Sequence, residues 1–328
     1  MINRVVVIGC GNVGMSYAYA LLNQRTKVSE LILIDIDEKR LEGEVADLNH
    51  GLPFAPSKLL IRVGNYEDCK KASIVCICAG ANQAPGESRM DLVHKNSKIF
   101  KSIISQVVTS GFDGIFLIAT NPVDVMSYVT YKYSGFNPTK VIGTGTTLDT
   151  IRLRYIISER LDINAKNVHA YILGEHGDSE FASWSNAYIG SVKMSDYLTV
   201  KELEEIADDV KTAAYDIIDK KGATYYGIGM VLVRITNAIL DNEHTILTVS
   251  SYNNKNDLFI GFPSIVGREG VIGYIPIKLT KEEKDLFNNS VDVIKKVISD
   301  LEDWFTLNVK NELPLWQKNF FLIKWSRE

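Results

Sequence analysis

A histidine between two glycines is the first group in this sequence that could move a proton. His176 lies in the run Gly-Glu-His-Gly-Asp at residues 174–178, directly after an apolar segment that is predicted to be a strand. The flanking glycines would leave its imidazole at an opening in the fold. Histidines after strands are more often structural than catalytic, so the spacing alone leaves both interpretations open.

Two further segments carry polar groups that could act with this histidine. Asp149 and Arg152 stand three residues apart in Leu-Asp-Thr-Ile-Arg, which places them on one face of a helix. Such pairs are usually solvated and contribute roughly a few tenths of a kcal/mol. The run Thr-Asn-Pro at residues 120–122 follows an apolar strand. Doubly wound sheets bind their ligands at such strand ends.

The run Gly-Cys-Gly-Asn-Val-Gly at residues 9–14 predicts a dinucleotide site. Gly9 permits a tight turn, Gly11 lets the backbone approach a pyrophosphate, and Gly14 permits close packing of helix on strand. Asp35 ends the next predicted strand, 21 residues beyond Gly14. A carboxylate there accepts hydrogen bonds from ribose hydroxyls and repels the 2′-phosphate of NADP, so NAD is the expected cofactor. Glycines that serve only packing are the alternative.

Alternating strands and helices would position these groups. Apolar runs predict parallel strands, covered on both faces, at residues 4–8, 31–34, 74–79, 114–119 and 141–143. Helical periodicity lies between them, at residues 13–24, 38–50, 91–110 and 123–133. The predicted fold class is therefore α/β, with a Rossmann-type doubly wound parallel sheet.

The second half of the chain predicts a C-terminal α+β domain for substrate binding and catalysis. Helices are expected at residues 148–160, across 200–240, and from a capping box at 280–283. A strand is expected at residues 168–173, and an antiparallel meander at 245–252, 258–266 and 271–277. We place the domains at residues 1–146 and 147–302. Residues 303–328 form an atypical tail that contains three of the four tryptophans.

The overall composition excludes several classes of partner. With 36 basic and 40 acidic residues among 328, the net charge of −4 offers no basic field for nucleic acid or an anionic membrane. No apolar run approaches the ~20 residues of a membrane-spanning helix. The first residues are predicted to enter a strand directly, so no signal peptide is expected. Metal ligation is not expected from the cysteines, which suit small reduced core residues of a cytoplasmic protein: Cys10, Cys69, Cys76 and Cys78.

Taken together, the motifs resemble those of the L-lactate/L-malate dehydrogenase family. The matching segments follow one another in the family's order, at residues 9–14, 79–89, 120–124, 148–154 and 174–178. The resemblance covers about nine-tenths of the chain, from about Arg4 to Leu301. It implies reversible hydride transfer between the nicotinamide and C2 of a small 2-hydroxy acid, in glycolysis or fermentation. It also implies a homotetramer, or a tetramer in equilibrium with dimers.

The resemblance also assigns roles to the polar groups. His176 would exchange the proton at the C2 oxygen, which suits an imidazole with an ordinary pKa of about 6.5. Asp149 would fix the tautomer of that imidazole and stabilise the imidazolium. Arg152 would hold the substrate carboxylate through a bidentate guanidinium fork. Arg89 would arrive as the loop at residues 80–88 closes, and would polarise the substrate carbonyl.

Further residues would complete the two binding sites. Asn121 would hydrogen-bond the C2 oxygen, and Thr224 would line the substrate pocket. The residues that would contact the cofactor are Gly9, Gly11, Asn12, Val13, Gly14, Asp35 and Asn121.

One loop position separates the branches of this family. Malate enzymes carry arginine there to pair with the second carboxylate of oxaloacetate, whereas this chain has Gln83. A desolvated carboxylate that faces a neutral amide lacks its counter-charge, at a cost of about 2–5 kcal/mol. Pyruvate and L-lactate are therefore the expected substrates. Malate, broader 2-oxo acids, or a binding protein that has lost the reaction are the alternatives.

Two positions match a regulatory site of the family. Arg154 and His169 correspond to residues with which allosteric bacterial members bind fructose 1,6-bisphosphate between subunits. Arginine can fork onto a phosphate, and histidine adds a donor. The alternative is that Arg154 caps a surface and His169 is structural.

Overall fold

The structure of this protein, a computed structural model, describes residues 3–81, Gly86 and residues 88–312. The side chains of Arg89 and of residues 302–312 are outside that description. In the described part of the N-terminal half, strands and helices alternate as follows: β1 (Arg4–Ile8), α1 (Asn12–Leu22), β2 (Glu30–Ile34), α2 (Glu38–Gly51), β3 (Leu60–Val63), β4 (Ala72–Ile77), α3 (Arg89–Thr109), β5 (Ile115–Ile118), α4 (Val123–Ser134) and β6 (Val141–Gly143).

The C-terminal half has long helices separated by short strands. Its elements are α5 (Thr147–Leu161), β7 (Val168–His169), β8 (Ile172–Leu173), β9 (Phe181–Ala182), β10 (Tyr188–Ile189), β11 (Val192–Lys193), α6 (Val200–Lys221), α7 (Tyr226–Leu240), β12 (Thr245–Leu247), β13 (Ser250–Asn253), β14 (Leu258–Gly261), β15 (Ser264–Gly267), β16 (Gly270–Tyr274) and α8 (Lys281–Glu312). No helix in the described part of the chain is long and apolar enough to span a membrane.

The main sheet has eight strands in the order β14-β13-β6-β5-β4-β1-β2-β3. Strands β1 to β6 are parallel to one another, whereas β13 pairs antiparallel with β6 and β14 antiparallel with β13. The order of the parallel strands reverses between β1 and β4, where the connections leave toward opposite edges. This is the topological switch point of a doubly wound sheet. The predicted fold class is confirmed.

Helices pack on both faces of the main sheet, which explains why its central strands β1, β4 and β5 are almost wholly apolar. Along β1, Val5 and Val7 belong to a hydrophobic core that also contains residues of α1, α2 and α7. Val6 and Ile8 belong to a second core with residues of α3, α4 and α8. All four side chains are buried, and their alternation follows the two-residue period of a strand.

A third core anchors the helix that carries Asp149 and Arg152. Leu153 and Ile157 of α5 are fully buried there, among residues of α6 and of the short strands β7 and β8. This packing fixes the axis of α5. The side chains of its first turns therefore have a defined direction.

Several C-terminal elements differ from the prediction. The run expected as one strand at residues 168–173 forms β7 and β8, which pair in different sheets. The single meander is also wrong: β13 and β14 form a hairpin that extends the main sheet, whereas β12, β15 and β16 form a separate sheet. Pro263 lies between β14 and β15 and has no N–H for a ladder, so the two strands cannot be continuous.

The ends of helices α6 and α8 differ in detail from the prediction. The helical region at 200–240 is divided by Gly222, which ends α6 in the left-handed conformation (φ +84°) and donates its N–H to the carbonyl of Ile218. The predicted capping box is confirmed, because Thr280 and Glu283 exchange hydrogen bonds at the start of α8. Helix α8 continues to Glu312, beyond residue 303, where we placed the tail. The rest of the tail lies outside the described residues.

The close packing of the glycine run on β1 can be tested at Gly14. A Cβ added there would lie 2.1 Å from the backbone oxygen of Gly9, which cannot rotate away. We expect Gly14→Ala to lower the free energy of unfolding in urea by about 1–3 kcal/mol. The control is Gly43→Ala in α2, where an added Cβ meets nothing within 4 Å. That change should raise stability by about 0.5–1 kcal/mol. Wild-type stability in Gly14→Ala would contradict the packing described.

Candidate active site

The glycine run forms a cradle at the switch point of the sheet. Gly9 has a φ of +95°, and a Cβ on it would lie 2.3 Å from the backbone nitrogen of Ala79. A Cβ on Gly11 would meet nothing within 4 Å. The space above Gly11 is therefore open to a group that lies against the backbone, as a pyrophosphate does.

The first turn of α1 presents free amides to this cradle. Helix α1 begins at Asn12, which Val13 follows, and Gly11 is its N-cap. Among the described residues no side chain caps it, and its first turn contains no acidic residue. Free N–H groups and the positive end of the helix dipole favour an anion at this position. The cradle therefore fits the phosphates of a dinucleotide.

Asp35 ties the end of β2 to the glycine run. Its Oδ2 accepts the N–H of Cys10 at 2.6 Å, and its Oδ1 accepts the N–H of Asp37 at 3.0 Å. Each carboxylate oxygen has a second lone pair, so Asp35 can still accept a hydroxyl of a ribose.

The four cysteines are free, as predicted. Cys10, Cys69 and Cys76 are buried, and Cys78 is half-buried. Burial raises the pKa of the Cys10 thiol, with a further contribution from the negative charge of Asp35. The thiol inside the glycine run is therefore neutral at physiological pH.

A buried carboxylate, Asp149, lies at the centre of the catalytic half of the site. Only 2% of Asp149 is exposed. Its Oδ1 accepts a hydrogen bond from Nη1 of Arg152 at 2.8 Å, and its Oδ2 lies 2.7 Å from Nδ1 of His176. Burial opposes ionisation of Asp149, but the charges and hydrogen bonds of His176 and Arg152 hold its pKa below the usual range. One anion thus fixes both an imidazole and a guanidinium.

The backbone of His176 is held by a second buried carboxyl group. Asp124, near the start of α4, accepts the N–H of His176 at 2.8 Å and the hydroxyl of Ser250. Burial raises the pKa of Asp124 to about 6, against these two hydrogen bonds. Gly174 (φ +100°) exchanges backbone hydrogen bonds with Gly261 of β14, which fixes the loop at its other end.

The imidazole of His176 favours its protonated form. Burial alone would lower its pKa, but the charge and hydrogen bond of Asp149 outweigh burial and raise it to about 9. A negative charge on Asp124, or on Glu180 if it were ionised, would add a smaller contribution in the same direction. Because Nδ1 faces Asp149, Nε2 is the nitrogen that remains for a substrate.

The end of β5 is joined to the loop after β4 by a buried amide. The side chain of Asn96, which is 1% exposed, accepts the N–H of Ala81 at 2.8 Å and donates to the carbonyl of Asn121 at 3.2 Å. Thr120 donates its hydroxyl to the carbonyl of Ala79 at 2.8 Å. The side chain of Asn121 itself is exposed at the carboxyl edge of the sheet.

Thr224 lies in the turn between α6 and α7. It is half-buried. A Cβ on the nearby Gly227 would lie 3.0 Å from Cδ1 of Leu148, the residue before Asp149. Helix α6, which precedes this turn, is tied to the histidine loop, since its Tyr215 donates a hydroxyl to Asp178 at 2.8 Å.

The remaining predicted residues are only partly described. Gln83 lies outside the described residues, and of Arg89 the structure gives only its place as the first residue of α3. Ser88 caps that helix by accepting the N–H of Asp91 at 3.1 Å. A long helix therefore begins directly after the loop at residues 80–88.

Arg154 and His169 occupy the junction of α5 and β7. Nε of Arg154 donates to the carbonyl of Ala170 at 3.1 Å, and its guanidinium lies over the ring of Tyr171. Burial lowers the pKa of Arg154. His169 is exposed on β7.

The structure places Asp149, Arg152 and His176 together, and the sequence analysis missed the groups behind them. These groups are Asn96, Asp124, Glu180 and Ser250. Two of these residues could have been noticed from their positions in the sequence. Asp124 lies two residues after the Thr-Asn-Pro motif, and Glu180 lies four residues after His176. Nothing in the sequence marks Ser250, because its role depends on β13 pairing with β6 at Gly143.

A doubly wound sheet with this cradle and a buried His–Asp pair defines an NAD-dependent oxidoreductase. Family models agree with this class. Residues 3–143 match the lactate/malate dehydrogenase NAD binding domain, and residues 146–304 match the lactate/malate dehydrogenase alpha/beta C-terminal domain. The chain belongs to the lactate/malate dehydrogenase family.

Individual relatives and solved structures agree. An L-lactate dehydrogenase of Bacillus pumilus is 53% identical over 91% of this chain and 98% of its own length. One of Bacillus licheniformis is 52% identical over 90% and 96%. A lactate dehydrogenase enzyme from a Medee basin deep-sea metagenome library has a TM-score of 0.90 at 49% identity, covering 92% of this chain and 100% of that one. The ligand-bound minor L-lactate dehydrogenase of Enterococcus mundtii has a TM-score of 0.89 at 45% identity, covering 92% and 98%.

The coupling of His176 to Asp149 predicts how the imidazole titrates. In Asp149→Asn the imidazolium loses its main counter-charge, so the pKa of His176 should fall clearly below about 9. NMR of the ring protons, assigned with His176→Gln, measures this change. The exposed Asp196→Asn is the control and should leave the titration in place. An unshifted His176 in Asp149→Asn would contradict the pairing.

Proposed function

We propose that this chain is an L-lactate dehydrogenase, which reduces pyruvate with NADH to L-lactate and NAD and also runs in reverse. The observation that carries the proposal is the double contact of buried Asp149, at 2.7 Å to His176 and 2.8 Å to Arg152. A 2-oxo acid has a carboxylate directly beside the reacting carbonyl. Asp149 fixes Arg152, which can pair with the carboxylate, and His176, which can give a proton to the carbonyl oxygen. This arrangement suits such a substrate.

The residues of the site divide the reaction between them. Arg152 holds the substrate carboxylate, which directs the C2 oxygen to Nε2 of His176. NADH held at the glycine cradle would supply the hydride for C2, and His176 gives its proton to the C2 oxygen, so pyruvate, NADH and one proton would become L-lactate and NAD. Asn121 and Arg89 donate to the same oxygen as charge develops on it. In the reverse direction the neutral imidazole accepts the proton.

The other predicted contacts belong to the same proposal. Thr224 lines the substrate pocket from the turn beside Leu148. The cofactor is held by Gly9, Gly11, Asn12, Val13, Gly14, Asp35 and Asn121. The open space at Gly11 and the uncapped start of α1 support this arrangement. We also keep the domain division at residues 1–146 and 147–302, which the spans of the two family models support.

The choice of pyruvate rests on Gln83 and on the relatives. A neutral amide offers no counter-charge to a second carboxylate, which disfavours oxaloacetate and malate. Relatives named L-lactate dehydrogenase are 50–53% identical to this chain, which supports the same choice. The loop at residues 83–89 has the length and residue content expected of an ordinary lactate enzyme, which disfavours larger 2-oxo acids.

Substrate choice is testable at Gln83. The wild-type enzyme should oxidise NADH with pyruvate much faster than with oxaloacetate. In Gln83→Arg the ratio of the two kcat/KM values should move toward oxaloacetate by ~30-fold or more, because the second carboxylate gains a partner. Gln106→Arg, on the exposed side of α3, adds the same charge elsewhere and should leave the ratio unchanged. An unchanged ratio in Gln83→Arg would remove Gln83 from the account.

We further propose a cytoplasmic homotetramer that works in glycolysis or fermentation and is activated by fructose 1,6-bisphosphate. The free cysteines support a reducing location. The activator site consists of Arg154, whose Nε donates to the carbonyl of Ala170, and His169, the residue before Ala170. A guanidinium and an imidazole beside an exposed strand suit a phosphate.

Activation is measured as the KM for pyruvate with and without millimolar fructose 1,6-bisphosphate. We expect the wild-type KM to fall about fivefold or more, and the response to be lost in Arg154→Gln. Arg160→Gln is the matched control from the same helix, since Arg160 pairs with Glu202 and Glu205 at the surface. Identical KM values with and without the bisphosphate would refute the regulatory site, with no effect on the proposed reaction.

A further inference from the structure

Glu180 is a third carboxyl group in the acid–base site, and the reaction as described gives it no task. It is only 6% exposed, and it belongs to the same loop as His176, donating its N–H to the carbonyl of Gly177 at 3.1 Å. Its Oε2 lies 4.0 Å from Nδ1 of His176. One polar atom from each of Asp149, His176 and Glu180 falls within a 4.8 Å cluster.

The nearest cation to Glu180, the imidazole of His176 at 4.0 Å, is shared with Asp149, which lies closer to it at 2.7 Å. On α5, the guanidinium of Arg152 is already bonded to Asp149 at 2.8 Å. On α4, Asp124 accepts the N–H of His176. Within the loop, Glu175 accepts the hydroxyl of Ser179, and Asp178 accepts that of Tyr215 from α6. Among the described residues, no lysine or arginine forms an ion pair with Glu180.

Two buried carboxyl groups behind one imidazole cannot both remain ionised. Repulsion between like charges and the loss of hydration both favour a proton on one of them. Asp149 keeps its charge, because it holds both Arg152 and His176. Burial and the negative charge of Asp149 raise the pKa of Glu180 far above the usual range of a glutamate.

A protonated Glu180 has only one suitable acceptor in this cluster. Nδ1 of His176 lies 2.7 Å from Asp149 and uses its own proton there, so it cannot accept a second one. The carboxylate of Asp149 has lone pairs beyond those that Arg152 and His176 use. The hydrogen bond of Glu180 is therefore directed to Asp149.

We propose that Glu180 is protonated at neutral pH and donates a hydrogen bond to Asp149, which makes it a positioning residue for proton transfer. The bond draws off part of the negative charge of Asp149. It thereby limits how tightly that carboxylate holds the imidazolium, and it sets the pH at which His176 releases its proton. This role deepens the proposed function, whereas the protonation of Glu180 can be measured without it.

The protonation state is measured directly by infrared difference spectroscopy at neutral pH. Subtracting the spectrum of Glu180→Gln from that of the wild-type protein should reveal the C=O stretch of a protonated carboxylic acid. The same subtraction with Glu283→Gln is the control. Glu283 is also buried, but it accepts hydrogen bonds from the N–H groups of Ser185 and Thr280, so it should show carboxylate bands instead. A carboxylate signal from Glu180 would overturn the proposal.

The effect on His176 is measured by NMR titration of its ring in the enzyme without substrate. Glu180→Leu removes the donor to Asp149, so the midpoint should rise by about 0.5 pH unit or more. Glu180→Gln keeps a neutral donor, and its midpoint should stay within about 0.2 pH unit of wild type. A fall in Glu180→Gln would mean that an anion had been removed, and would contradict the proposal. If Glu180→Leu does not fold, the Gln variant and the infrared spectrum decide alone.

The kinetic consequence separates this proposal from the proposed function. The pH at which kcat/KM for pyruvate declines on the alkaline side should move in Glu180→Leu in step with the NMR midpoint. A merely structural defect would lower the rate without moving that pH. If the wild-type chain does not reduce pyruvate but the spectra agree, the proposed function fails and the inference stands. If it reduces pyruvate but Glu180 is ionised, only the inference fails.

Discussion

The buried negative charge of Asp149 is the constraint on which the site depends. A carboxylate that is 2% exposed is tolerated only where cations and donors replace its hydration. Here Arg152 comes from the same helix, whereas His176 comes from the loop after β8. Leaving such a charge unpaired costs about 3–5 kcal/mol. The same contacts of Asp149 therefore stabilise this region of the fold and fix the geometry of the acid–base group.

The topology of the sheet delivers these groups to one place. The cradle at residues 9–14 lies at the switch point, and the carboxyl end of β5 adds Asn121 along the same edge. The antiparallel hairpin of β13 and β14 connects the two halves of the chain. Through it, Ser250 reaches Asp124, and Gly261 pairs with Gly174 beside the histidine loop. The catalytic loop is thus fastened to the main sheet as well as to α5.

Local sequence patterns predicted those features of the fold that depend only on residues close together in the chain. The glycine run and the apolar strands around it carry their own signals, so β1 and β6 agree with expectation, whereas β3 (Leu60–Val63) was not predicted. The split of residues 245–266 between two sheets could not be predicted, because an apolar run does not reveal that its two ends pair with different partners. Similarly, Glu180 reads as one acidic residue in a polar loop. Its role depends on α5, because the negative charge of Asp149 favours a proton on Glu180.

The central claim is that this site moves a hydride to C2 of pyruvate while His176 supplies the proton. The most direct test uses NADH deuterated at the transferable position of C4, with pyruvate in ordinary water, and NMR of the product. We expect L-lactate with deuterium at C2, and loss of turnover in His176→Gln. Lactate with hydrogen from water at C2, or no lactate while the folded protein binds NADH, would contradict it.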